Sequence, residues 1–119
     1  MNNSRRIAVN VLNLVFQEGA YSNLALNKAL NESDLDDKDK ALTTEIVYGT
    51  IKYKYAIDKI LNNYVKTGVG KLDIFVLNVL RIGIYQLRYL DKIPSFAAVN
   101  ECVELGKTKS PGACKLING

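Results

Sequence analysis

Leu72-Asp73-Ile74-Phe75-Val76-Leu77-Asn78-Val79-Leu80-Arg81-Ile82-Gly83-Ile84-Tyr85-Gln86-Leu87-Arg88-Tyr89 is the most apolar stretch of the chain and decides its fold. Leu72, Phe75, Val76, Val79, Leu80, Ile82, Ile84 and Leu87 recur at helical spacing and spread over several sides of one helix. A helix apolar on several sides belongs at the centre of a bundle. Gly83 in its middle costs about 1 kcal/mol of helix propensity relative to alanine, which close packing of a neighbouring helix would explain. Arg81 and Arg88, seven residues apart, fall on the one strip that such a helix leaves to solvent.

Working outward, Gly68 and Gly70 mark a loop. Before it, Leu42, Ile46, Gly49, Tyr53, Ile57, Ile60 or Leu61, and Tyr64 keep helical spacing from Asp37 to Tyr64. That run is long for a small domain, and a break near Gly49–Lys54 divides it into two helices. The carboxylates of Asp34, Asp36, Asp37 and Asp39 lie just before and within its first turn, where they complement the helix dipole. Ser4 opens a first helix that runs to Glu18, with Ile7, Val11, Leu14 and Val15 as its apolar stripe and Gly19 as its stop. Ser22 caps a short helix with Leu24, Ala25, Ala29 and Leu30 on one side. Beyond Tyr89, Pro94 ends a linker, Ser95 caps a helix through about Lys107, and Pro111 opens a last one. No run alternates at period two. The expectation is an all-α fold: a single bundle of about seven helices around Leu72–Tyr89, one domain over residues 1–119.

Composition narrows the function. The 119 residues contain no histidine and two cysteines, Cys102 and Cys114. Without histidine there is no Ser/His or Cys/His nucleophile pair and no usual general base. Two cysteines make neither a disulfide framework nor a four-ligand zinc site. No stretch approaches the ~20 apolar residues of a bilayer span, and polar Met1–Arg6 lacks the apolar core of a signal peptide. The reading is a cytoplasmic domain without membrane contact, catalytic residues, metal or cofactor of its own. Net charge is +4, and five acids are confined to residues 32–39, which leaves 15 basic against 7 acidic residues elsewhere. Such segregation suits an anionic partner such as RNA, and equally suits solubility.

Several cations are candidates for that partner. Arg5 and Arg6 fall in the first turn of the first helix, where cations oppose the dipole and an anionic ligand would reward them. Lys52, Lys59 and Lys66 are spaced by seven, with Lys54, Tyr53 and Tyr55 beside the start of the stripe, so an aromatic face could stack on a base. A solvated helix face has the same pattern. Arg88 could instead pair with Asp91. Tyr85, Gln86, Asn100 and Glu101 are polar groups near apolar faces and read as links between the central helix and the Ser95–Lys107 helix.

Three blocks resemble a known family. Leu35-Asp36-Asp37-Lys38-Asp39-Lys40-Ala41-Leu42 with Glu45-Ile46-Val47-Tyr48-Gly49-Thr50-Ile51-Lys52 is similar to the D-R-A-L…E-L-V-Y-G-x-L-R block of the ribosomal RNA methyltransferases RsmB, also called Sun or Fmu. Arg81-Ile82-Gly83-Ile84-Tyr85-Gln86-Leu87, Ile93-Pro94 and Ala97-Ala98-Val99-Asn100-Glu101-Cys102-Val103-Glu104-Leu105-Gly106-Lys107 resemble the core shared by NusB and RsmB. Leu116-Ile117-Asn118-Gly119 matches the start of an I-N-G-V-L-R element. The likeness covers essentially the whole chain, in order. It implies a NusB-like N-terminal domain whose S-adenosylmethionine-dependent cytosine-5 methyltransferase domain lies beyond Gly119, with the catalytic cysteines there and not at Cys102 or Cys114. The implied role is to hold ribosomal RNA for that domain, and the implied partners are ribosomal RNA and the protein's own methyltransferase domain. The alternative is a NusB-type antitermination factor that binds RNA and a ribosomal protein. Gln86-Leu87 where NusB has Glu-Leu, and only Arg5-Arg6 at the N-terminus, favour the first. A module that docks its own catalytic domain without touching RNA is the third reading. Arg5, Arg6, Lys52, Lys54, Lys59, Arg81 and Arg88 are the RNA-binding candidates.

Overall fold

A computed structural model of the chain describes residues 3–65 and 68–90. Among them are five α-helices: α1 (Asn3–Glu18), α2 (Ser22–Asn31), α3 (Asp37–Lys52), α4 (Lys54–Asn62) and α5 (Ile74–Tyr89), with a 3-10 turn at Val69–Lys71. No strand occurs among the described residues. The helices expected at Ser95–Lys107 and after Pro111 lie outside them, as do Lys66, Asp91, Asn100, Glu101, Cys102 and Cys114.

α5 is the central helix that its sequence demands. Val79 and Ile82 join Ala8, Val9, Val11 and Leu12 of α1, Leu26 of α2, and Ile46 and Val47 of α3 in one apolar cluster. Val76, Leu77, Leu80 and Tyr85 pack with Ile57 and Leu61 of α4 in a second. A helix that supplies both clusters must be apolar on several sides. Leu87 departs from the expectation: it is exposed in the last turn of α5.

Local signals set most of the boundaries. The Asp36 carboxylate accepts from the Asp39 N–H at 2.8 Å and caps α3. Gly19 and Gly68 hold φ of 72° and 84°, which glycine adopts without strain. The expected break comes at Tyr53, between α3 and α4. Asp73 caps α5 by accepting from the Phe75 N–H at 2.9 Å.

Two expected caps do not form. α1 begins at Asn3, so Ser4 lies inside its first turn, and its hydroxyl donates to the Asp39 carbonyl at 3.3 Å. Thr43 Oγ1 donates to that same carbonyl at 2.8 Å within α3 and to the Ser4 carbonyl at 3.4 Å, and the two contacts that involve Ser4 seat the start of α1 against the start of α3. α2 is preceded by Tyr21, which makes no side-chain cap. Most of each expected stripe packs inward, Ile7, Val11 and Val15 on α1 and Ala25, Ala29 and Leu30 on α2, but the buried faces extend beyond it. α1 buries Ala8, Val9, Val11 and Leu12 and exposes Leu14, while α2 buries Leu26 and leaves Leu24 62% exposed.

Candidate nucleic-acid interface

Arg81 is the first of the candidate cations that the structure removes from solvent. It is only 4% exposed. Its Nε donates to Asp58 Oδ1 at 2.8 Å and its Nη2 to Asp58 Oδ2 at 2.9 Å, a two-pronged pair between α5 and α4. Its Nη1 donates to Asn78 Oδ1 at 2.9 Å, and Asn78 Nδ2 donates to Asn13 Oδ1 at 2.7 Å on α1. The guanidinium also lies 4.9 Å from the centre of the Phe16 ring. Arg81 therefore binds three helices together and does not occupy the exposed strip of α5.

Arg5 corrects the sequence reading in the same way. It is 5% exposed, and its Nε donates to Gln86 Oε1 at 2.7 Å. Gln86 Nε2 donates to the Ile82 carbonyl at 3.0 Å, which aims the amide oxygen at Arg5. A first-turn arginine whose charge opposes the helix dipole thus latches the start of α1 to the end of α5. The expected partner of Gln86, the Ser95–Lys107 helix, lies outside the described residues; within them Gln86 links α5 to α1.

Tyr85 links α5 to α3. A Cβ placed on Gly49 would fall within the Tyr85 phenol ring, so only glycine lets α3 approach so closely. Burial raises the Tyr85 phenol above its ordinary pKa, and the charge of Glu45 and the neighbouring Tyr53 add to this. Tyr53 and Tyr89 stack with ring centres 4.3 Å apart and planes 8° apart, and Tyr85 lies 5.6 Å from Tyr89. Tyr53 is half-buried in this stack and has one face covered by Tyr89.

The remaining candidates are accessible to different degrees. Lys52 and Lys59 are exposed, and Lys52 Nζ stands 5.3 Å from the Tyr53 ring centre. Lys54 is half-buried: its Nζ lies 3.4 Å from Asp58 Oδ2, 4.9 Å from the Tyr55 ring centre and 5.6 Å from that of Phe16. Tyr55 is 86% exposed. Arg88 is exposed in the last turn of α5, and Arg6 is half-buried in the first turn of α1. α1 starts beside the start of α3, whereas Lys52 ends α3, about 20 Å further along its axis. The structure thus gathers Lys52, Lys54, Tyr55 and Lys59 at the α3–α4 corner and sets Arg6 apart from them.

Asp58 went unmarked in the sequence, yet it decides the electrostatics of this corner. It is the one acid of α4, its side chain is 14% exposed, and it is turned onto Arg81. With Asp58 engaged, the outer surface of α4 presents cations and an open aromatic ring.

Helices packed around a buried central helix, latched by polar pairs that span the chain, define a small α-helical bundle of the NusB type. The chain belongs to the NusB family, whose model matches residues 2–119. It is 38% identical over 97% of its length to a probable ribosomal RNA small subunit methyltransferase B of Bacillus subtilis, and covers 26% of that protein. It is 30% identical over 89% of its length to the transcription antitermination protein NusB of Coxiella burnetii, and covers 77% of that protein. The chain thus spans about a quarter of the methyltransferase relatives, here 26%, and most of the antitermination proteins. Among solved structures, T. maritima NusB superposes with a TM-score of 0.87 at 24% identity, over 99% of this chain and 84% of that one. The antitermination factors NusB and NusE in complex with double-stranded RNA give a match of TM-score 0.87 at 20% identity, over 99% of this chain and 89% of the other. These structural likenesses establish a shared fold. Among the described residues no helix is long and apolar enough to cross a membrane.

Proposed function

We propose that this chain is an RNA-binding accessory domain that helps position ribosomal RNA for a cytosine-5 methyltransferase domain in a longer protein, working in the cytoplasm. The observation that carries the RNA contact is the inward turn of Asp58 onto Arg81, which leaves Lys52 and Lys59 outward on a surface with no competing acid on α4. The 38% identity to a methyltransferase relative supports the catalytic context. S-adenosylmethionine would be held by the second domain, and no residue of this chain is assigned to it.

Fluorescence anisotropy with fragments of small-subunit ribosomal RNA tests the reading. Affinity should fall about 10- to 20-fold between 50 and 200 mM salt, as release of counterions from about three phosphates requires. Lys52→Glu combined with Lys59→Glu should weaken binding further. Affinity indifferent to both salt and this double change would refute the proposal.

The coverage of 77% of the Coxiella burnetii NusB supports a second reading, an antitermination factor that binds RNA together with a ribosomal protein. Saturable binding to NusE would favour it. A methyltransferase domain in the same reading frame would favour the first.

A further inference from the structure

We infer that Tyr55 is a stacking platform for an unpaired nucleobase, so that the α3–α4 corner is a subsite for single-stranded RNA. This inference rests on the RNA-binding reading above and names the kind of RNA that this corner takes.

Tyr55 is the most exposed large hydrophobic residue among those described. The fold does not use it: α4 turns Ile57 and Leu61 into the apolar cluster and leaves Tyr55 on the other side. A ring 86% exposed has at least one face open to a ligand. Lys54 Nζ stands 4.9 Å from its centre, and the same ammonium lies 3.4 Å from Asp58. Asp58, three residues along α4, is committed to Arg81 and Lys54, so it does not oppose an approaching phosphate. Lys59 lies one helical turn beyond Tyr55 and is exposed, and Lys52 precedes it at the corner and is exposed. Aromatic face and phosphate-binding cations are therefore adjacent, which is the combination that holds single strands.

Tyr53 provides the internal contrast. It also sits beside lysines, but Tyr89 covers one of its faces at 4.3 Å. A base cannot stack where a tyrosine already does. Within a duplex, each base has its own faces occupied by its neighbours, so a stacking platform selects unpaired bases over paired ones.

The test uses the 119-residue chain and a 12-nucleotide RNA, presented as a single strand or annealed to its complement, with 2-aminopurine at one position. Stacking on Tyr55 should change 2-aminopurine emission in the single strand. Tyr55→Ala should raise the single-strand Kd about tenfold, within the range that loss of one base–aromatic stack produces, and leave the duplex Kd unchanged. Tyr55→Phe should retain wild-type affinity. Thermal melts of both variants should match the wild type, because the side chain is outside the core. Equal Kd for wild type and Tyr55→Ala on the single strand overturns the inference alone, as does an equal loss on both RNAs. Absence of binding to either RNA overturns the RNA-binding reading along with it.

Discussion

The guanidinium of Arg81 lies along the carboxylate of Asp58 with both prongs engaged, at 2.8 and 2.9 Å, and so joins α5 to α4. Removing Arg81 leaves Asp58 with Lys54 alone in a largely buried setting, where breaking a fully buried pair costs about 3–5 kcal/mol. The Asp58 side chain keeps 14% exposure, which argues for the lower end. Arg81→Leu should therefore cost about 2–3 kcal/mol, as read by urea unfolding. Arg81→Leu with Asp58→Leu should recover part of the loss. A single change that shifts stability by less than about 0.5 kcal/mol would mean that the pair is no more than a surface contact.

Gly49 faces the Tyr85 ring so closely that no Cβ fits between them. Gly49→Ala gains about 1 kcal/mol of helix propensity, against about 1–3 kcal/mol for forcing an atom into packed space. The net should be destabilising. Because the clash depends on the ring, Gly49→Ala should become neutral or stabilising in a Tyr85→Ala background. A double-mutant cycle measures this, and strict additivity would contradict the assigned contact.

Arg5 and Arg6 are neighbours with opposite expected effects. Arg5 donates to Gln86 at 2.7 Å from a buried position, so Arg5→Ala should destabilise by about 1–3 kcal/mol. Arg6→Ala should stay within about 0.5 kcal/mol, as changes away from the core do. Thermal melts of the two variants decide it. Matched melting temperatures would remove Arg5 from its latching role. RNA binding by an Arg5 variant is then interpretable only alongside its melt.

The central position of α5 was legible because apolar residues on several sides of one segment leave no other place for it. The acidic start of α3 and the break before Lys54 were legible because both are local. Arg5 and Arg81 were misread for the opposite reason. Their partners Gln86 and Asp58 lie 81 and 23 residues away and belong to other helices, so no spacing rule connects them. A long cationic side chain has the same letter whether its head reaches water or a buried acceptor. The wider buried face of α1 has a related cause: Ala8, Val9 and Leu12 join residues of α2, α3 and α5 in one cluster, so α1 is covered on more sides than its own stripe announces. Aromatics and lysines alternate in sequence between Lys52 and Lys59. Which tyrosine is open depended on Tyr89, which only the fold brings there.

Tyr85 makes a pH prediction. Its pKa is raised above the ordinary 10.0, first by burial and then by Glu45 and Tyr53. The folded state therefore favours the protonated phenol. The resulting stability is fully present below pH 10, the ordinary tyrosine pKa, and is lost as pH rises through the higher folded value. Urea midpoints should hold level in this respect up to about pH 9 and fall above pH 10, with Tyr85→Phe flattening the decline. In an absorbance titration at 295 nm of the seven tyrosines, a step above pH 10 should vanish in Tyr85→Phe. If Tyr85→Phe instead removed an early step, the phenol would be open to solvent and the Gly49 contact would not hold in solution.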